Sequence, residues 1–203
     1  MEKIFYVLYV KDRLAGPCVD LIRLISNPNA SAPSHVTIRG PYRKLASEER
    51  SWISYNPGAI KIAGLGNFFE TGQNTVFLYC DIHAIRDVWY KPDFPRGVPH
   101  ITLYDGSSAT FARQLFRRLQ SFDWQLRVKV GSLEPLVMSH QRRLPIWSNE
   151  LSGLYFEIAH REFAWDDLQL MDDEARLALV CDVARYLHRK HDECRCFGPA
   201  GAE

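Results

Sequence analysis

The sequence lacks any long hydrophobic run. The apolar stretch nearest its start, Ile4 to Val10, is seven residues long, whereas a helix that spans a bilayer needs about 20. We therefore expect no membrane-spanning segment and no signal peptide, and we assign this stretch to a strand.

An excess of charge of either sign is also missing. The chain has 25 basic and 24 acidic residues, for a formal net charge of +1. This balance excludes a strongly basic nucleic-acid coat protein, but it leaves room for a local positive cleft that binds a phosphate ester. Cysteine is scarce too, and five residues at irregular spacing do not suit a disulfide framework. We therefore expect a reducing, cytoplasmic location.

The chain does contain enough apolar residues for a sizeable core, 46% of 203 positions. Several strand-like runs follow one another without a helix between them, which favours an α+β fold with antiparallel sheets. Strands are predicted at 4–10, 35–39, 59–66, 75–82, 98–104, 123–130, 133–138 and 152–158, and helices at 17–27, 83–90, 108–121 and 172–191.

Two separate segments repeat one pattern, His-x-Thr-x with apolar residues at both x positions. The first is SHVTIRGPY, residues 34–42, and the second is PHITLYDG, residues 99–106. Side chains alternate between the two faces of a strand, so each motif would have one apolar face for the core. The opposite polar faces would be formed by the triplets His35, Thr37, Arg39 and His100, Thr102, Tyr104.

This pair of polar faces suits acid–base chemistry on a phosphate. An imidazole titrates near neutral pH, so one histidine can take a proton from a nucleophile while the other protonates a leaving oxygen. Threonine hydroxyls can donate hydrogen bonds to phosphoryl oxygens, where charge develops. A single His-x-Thr is more often an ordinary half-buried strand, but two copies in matching settings favour the functional interpretation.

With these motifs, residues 1–140 resemble the two-histidine (2H) phosphoesterase superfamily, which includes the RNA 2′,3′-cyclic phosphodiesterases historically called 2′-5′ RNA ligases. The resemblance implies a bilobal α+β fold, with two antiparallel sheets related by a pseudo-twofold axis around a central cleft. It also implies that His35 and His100 form an acid–base pair, that Thr37 and Thr102 bind the phosphate, and that no metal or cofactor takes part.

The resemblance leaves the substrate open. A 2′,3′-cyclic phosphate at an RNA end or on a small nucleotide is the first expectation, and 2′-5′ linked oligonucleotides or cyclic nucleotide signals are the alternative within the same chemistry. A nucleotide- or RNA-binding protein without turnover is the alternative of another class. Arg39 follows the first motif, as a basic residue does in some members, and is expected to contact the phosphate or to support one of the threonines. Tyr104 stands where relatives often have arginine, and it could stack on a base or pack in the strand.

The remaining residues, 141–203, have no counterpart in the compact members of that superfamily. They are predicted to form a C-terminal extension, a strand plus an amphipathic helix, packed on the same domain. The helix could also form a homo-oligomer contact. Near its end are four residues of metal-ligand type whose spacing fits no common zinc motif, so a solvated helix end is the preferred interpretation: His188, His191, Cys194 and Cys196.

Overall fold

The strands form where the sequence is rich in β-branched and aromatic residues. The computed structural model of the protein describes residues 2–47, 50–89, 97–138 and 148–196. Its strands are β1 (Lys3–Val10), β2 (His35–Tyr42), β3 (Ala59–Asn67), β4 (Val76–Cys80), β5 (His100–Tyr104) and β6 (Gln125–Met138). Both His-x-Thr motifs therefore lie on strands, as predicted, although the second strand begins at His100 and not at residue 98.

Helices cover the apolar side of these strands. They are α1 (Ala15–Ser26), α2 (Arg86–Trp89), α3 (Ala109–Leu119), α4 (Asn149–Ala159), α5 (Trp165–Leu170) and α6 (Asp173–Cys196), with short 3-10 turns at Phe69–Thr71 and Ile82–Ile85. No helix among the described residues is both long and apolar enough to cross a membrane.

All six strands lie in one antiparallel sheet that closes on itself in the order β1-β2-β5-β4-β3-β6. The α+β class is as predicted, but the division into two sheets is not. The sequence predicts two strands, at 123–130 and 133–138, but one 14-residue strand, β6, runs without a break from Gln125 to Met138. Its first part pairs with β3 and its second part pairs with β1. One continuous strand thus joins the two halves into a single sheet.

The segment expected as strand 152–158 is helix α4, so that prediction is wrong. Ser148 caps the helix, because its hydroxyl oxygen accepts a hydrogen bond from the Leu151 amide at 3.2 Å. Leu151 and Tyr155, four residues apart, are 3% and 2% exposed, which is the spacing of one helical face. The aromatic and β-branched content of LYFEI suggested a strand, but the cap and this spacing decide for a helix.

Helix α6 packs back on the rest of the chain, against α1, α3 and α4. Its inward face belongs to the same apolar core as the strands, through Leu177, Val180, Val183, Ala184 and Leu187. The extension therefore shares its core with residues 1–140.

Candidate active site

The two motif strands lie side by side. β2 and β5 are antiparallel, with Val36 opposite Ile101. In an antiparallel pair this register sets His35 opposite Thr102 and Thr37 opposite His100, with each pair on one face and about 4.5–5.5 Å between Cβ atoms. The two histidines are then diagonal neighbours across the strand pair.

Burial separates the two faces of these strands as the alternation predicts. Val36, Ile38 and Ile101 are 0% exposed and Leu103 is 1% exposed. The two histidines and the two threonines are half-buried. The four predicted catalytic residues therefore share one partly accessible face above an apolar layer.

Each histidine ring is held by the same backbone contact. His35 Nδ1 lies 2.7 Å from the carbonyl oxygen of Pro33, and His100 Nδ1 lies 2.7 Å from that of Val98. A carbonyl can accept but cannot donate, so Nδ1 carries the hydrogen in both rings. Each neutral imidazole therefore keeps its lone pair on Nε2, the nitrogen left for proton transfer.

Aromatic rings lie beside both histidines. The Tyr9 ring meets the His35 ring edge-on at 5.9 Å between centroids, and Phe68 and Phe77 lie 5.2 and 4.8 Å from His100. Burial lowers the pKa of His100 below its usual value. Burial also lowers the pKa of His35, to about 4, with the charges of Arg23 and His100 adding to the effect.

The loop that precedes His35 is fixed from helix α1. Arg23, 9% exposed, donates from Nη1 to the carbonyl oxygen of Ala32 at 2.8 Å. Asp20 accepts a hydrogen bond from the backbone amide of Ser34. These two contacts flank Pro33, whose carbonyl holds the His35 ring. Sequence reasoning missed both residues, although an arginine inside the apolar helix segment LIRLIS was a usable signal.

The third residue of each predicted triplet leaves the histidine face. Tyr6 of β1 pairs with Arg39, whereas the next residue, Val7, pairs with Thr37. One extra residue of β2 is inserted here, and such a bulge turns the following side chain to the other face. Arg39 therefore lies on the side of Tyr6, with its guanidinium 5.6 Å from the Trp52 ring centroid.

Tyr104 is displaced by an equivalent bulge in β5. Val76 of β4 pairs with Tyr104, whereas Phe77 pairs with Thr102. The Tyr104 ring is 5% exposed, packs 5.1 Å from the Phe111 ring, and its hydroxyl accepts a hydrogen bond from the Ser108 amide at 3.1 Å. This placement corrects the expectation that it shares a face with His100 and Thr102, and it favours packing over base stacking.

The candidate metal ligands of the C-terminal segment lie on α6, away from the motif strands. The His188 ring stacks on Phe122 at 5.5 Å and meets Trp124 at 5.2 Å. Burial lowers the pKa of His188. Within the described part of the chain, no three histidine, cysteine or acidic side chains come together as metal ligands; the side chain of Cys196 lies outside that part.

Comparison of the chain with models of known protein families gives no match, and the same holds for comparison with curated proteins. The resemblance to the two-histidine phosphoesterases therefore depends on the two motifs and on the geometry described above.

Proposed function

We propose that the protein is a metal-independent phosphodiesterase of the two-histidine type that hydrolyses a 2′,3′-cyclic phosphate on a nucleotide or at an RNA end. The observation that carries this proposal is the Val36–Ile101 pair, which brings His35, Thr37, His100 and Thr102 onto one face. Two imidazoles and two hydroxyls then lie on one face, and these are the groups that acid–base chemistry on one phosphate requires.

In the proposed reaction, the Nε2 atom of one histidine takes a proton from water, and the water oxygen forms a bond to phosphorus. The bond from phosphorus to one ribose oxygen breaks, and the second histidine, initially protonated, gives its Nε2 proton to that oxygen. The products are a phosphomonoester and a free ribose hydroxyl. Strain in the five-membered ring and the acid together activate the leaving group, so proton transfer suffices. The threonine hydroxyls donate to the phosphoryl oxygens.

His35 is the better candidate for the base. Its pKa, lowered to about 4 by burial and by nearby positive charge, keeps it neutral at pH 7. For His100, a bound phosphate anion would favour the protonated form that an acid requires.

A pseudo-twofold relation between two lobes, the finer part of the expected fold, is also part of this proposal. It is supported by the registers in which the two motif strands pair with their outer neighbours. On β1, Tyr9, Leu8 and Val7 lie opposite His35, Val36 and Thr37 of β2. On β4, Tyr79, Leu78 and Phe77 lie opposite His100, Ile101 and Thr102 of β5. A bulge follows the threonine in both cases. Such a repeat is what two equivalent halves around one cleft would require.

The test is a substrate panel with product analysis: nucleoside 2′,3′-cyclic phosphates, 2′-5′ linked oligonucleotides, and 3′,5′-cyclic nucleotides. We expect hydrolysis of the first group that survives excess chelator. His35→Ala and His100→Ala should each lower kcat by about 100- to 10,000-fold, while His83→Ala, a change at an exposed histidine outside the site, should not.

Near-full activity in either site variant would overturn the mechanism, and loss of activity with chelator would overturn metal independence. Turnover of another group in the panel would reassign the substrate within the same chemistry. Tight binding of nucleotides with no product from any group would favour a binding protein.

A cytoplasmic location and a homo-oligomer through α6 also remain proposals. The inward face of α6 is already buried in the core of its own chain, because Leu177, Val180 and Leu187 are at most 1% exposed. A partner copy would have to contact the opposite face, which carries the Arg185–Asp182 ion pair. Analytical ultracentrifugation would decide the oligomeric state.

A further inference from the structure

Beside His100, a row of residues crosses three strands on the histidine face. Tyr79 of β4 lies opposite His100 of β5, and Gly64 of β3 lies opposite Tyr79. Residues directly opposite each other in antiparallel strands share a face. The row from His100 through Tyr79 to Gly64 spans two strand spacings, about 10 Å.

The far end of this row is open. Apart from Gly64 itself and its two chain neighbours, no described residue has a heavy atom within 4 Å of the position that a Cβ of Gly64 would take. The neighbouring Tyr79 is 38% exposed. The next row on the same face runs from Thr102 through Phe77 to Gly66. There the space above the glycine is filled, because a Cβ at Gly66 would lie 2.4 Å from the Phe77 ring. Phe68 packs on Phe77 at 4.4 Å, so one side of the opening has an aromatic wall.

The equivalent region beside His35 carries a solvent-exposed ion pair. Lys11 Nζ lies 5.3 Å from the centroid of the Tyr9 ring, the neighbour of His35, and 3.9 Å from the Glu134 carboxylate. A Cβ at Gly131 would lie 3.3 Å from Lys11. The two otherwise matching halves of the site thus differ in one respect: a solvent-exposed lysine–glutamate pair lies on the His35 side, and a surface next to Tyr79 remains open on the His100 side.

We propose that the surface formed by Tyr79 and Gly64 binds the nucleobase of the substrate, with the base stacked on the Tyr79 ring. This inference rests on the proposed function, in which the phosphate lies between His35 and His100. A ribose then leads from the phosphate across the row to the base. The missing side chain at Gly64 leaves the flat space that a planar ring needs beside Tyr79.

Stacking is available to every base because each has a π-face, so the site selects for a nucleoside and discriminates little among the four bases. The substrate class is therefore a nucleoside cyclic phosphate, free or at the end of a chain, rather than a simple sugar phosphate.

The test compares wild type, Tyr79→Ala, Tyr79→Leu and Tyr79→Phe on the four nucleoside 2′,3′-cyclic phosphates and on 1-O-methylribose 2′,3′-cyclic phosphate, which has no base. Loss of stacking should raise KM about 5- to 150-fold for the nucleosides in the alanine and leucine variants, with kcat changed less than threefold. The phenylalanine variant keeps the ring and should stay within threefold of wild type. The leucine variant removes the ring but keeps most of the side-chain bulk, so it replaces the alanine variant if that one folds poorly.

The base-free substrate separates stacking from a structural defect. The KM for the base-free substrate should be the same in all four proteins. It should also resemble the KM that Tyr79→Leu shows for the nucleoside cyclic phosphates. Phe156→Ala, which removes an aromatic ring that is 56% exposed on α4, is the matched control and should match wild type throughout. An unchanged KM for nucleosides, or equal losses on both kinds of substrate, would overturn the proposal.

A binding measurement keeps this test independent of turnover. Titration of adenosine 2′-monophosphate and of base-free ribose 2-phosphate by calorimetry should show tighter binding of the nucleotide, by about 5- to 150-fold, in wild type but not in Tyr79→Leu. If wild type hydrolyses no cyclic phosphate and this difference is present, the proposed reaction fails while the base site stands. Equal binding of both compounds by wild type would refute the base site, whatever the hydrolysis results.

Discussion

Val36 of β2 lies opposite Ile101 of β5, and this pair aligns the two motifs of the chain. Both side chains are fully buried, so the core fixes the register between the strands. A slip by one residue would turn one motif's polar residues into the core. The register of the apolar layer therefore determines where the histidines and threonines meet.

The threonine hydroxyls are expected to contribute through hydrogen bonds to the phosphate. Thr37→Val and Thr102→Val remove the hydroxyl while nearly keeping the shape, and each should lower kcat/KM about 10- to 100-fold, the range for a lost hydrogen bond to a charged group. Thr37→Ser and Thr102→Ser retain the donor and should keep most of the activity. Steady-state kinetics on a nucleoside 2′,3′-cyclic phosphate provides the measurement, and equal losses for valine and serine would contradict the role.

Arg39 should matter for stability more than for turnover. It lies on the side of Tyr6, with its guanidinium near the Trp52 ring. Arg39→Ala should leave kcat/KM within threefold and lower the free energy of unfolding by about 0.5–2 kcal/mol, the range for a cation–π contact between fully exposed and desolvated sites, since Arg39 is half-buried. Urea unfolding and kinetics on the same samples would check both values. A tenfold rise in KM would restore Arg39 as a phosphate contact.

The free energy of unfolding should fall as the pH falls from about 6.5 to 4. In the folded protein the pKa of His35 is lowered to about 4, while in the unfolded chain it is about 6.5. Between these values the unfolded chain binds a proton that the folded chain does not, so acid favours unfolding. His100 acts in the same direction, because burial lowers its pKa as well.

The His35 contribution is about 3–4 kcal/mol at most, fully present above pH 6.5 and lost as the pH falls to 4. Urea unfolding between pH 4 and 8 measures it. His35→Gln should flatten the pH dependence. A stability that is independent of pH in wild type would contradict the lowered pKa.

Arg23 is expected to be a positioning residue for His35. Replacement by methionine in Arg23→Met removes a buried positive charge, which makes protonation of the nearby imidazole easier, so the pKa of His35 should rise. The change also removes the hydrogen bond to the Ala32 carbonyl. Titration of the imidazole signals by NMR reads the pKa directly, without any need for activity. Arg185→Met, an exposed change on α6, is the control, and equal His35 pKa values in all three proteins would exclude this role.

Much of the local structure follows from the sequence. Hydrophobic periodicity predicted β1, both motif strands and the long helix α6 close to their observed bounds. The same reasoning failed at α4, where an apolar and aromatic segment suits either a strand or a helix. It also failed at Arg39 and Tyr104, because strict alternation assumes an unbroken strand and a bulge leaves no clear mark in the sequence.

The sequence by itself determined the chemistry-bearing residues, because His-x-Thr-x in an apolar strand puts an imidazole and a hydroxyl on one face. Tertiary structure decided the rest: the pairing of β2 with β5, the single closed sheet, the carbonyl contacts that orient both rings, and the open space at Gly64 beside Tyr79. These features depend on which residues far apart in the chain become neighbours. Local periodicity describes one strand at a time and holds no information about the register between strands.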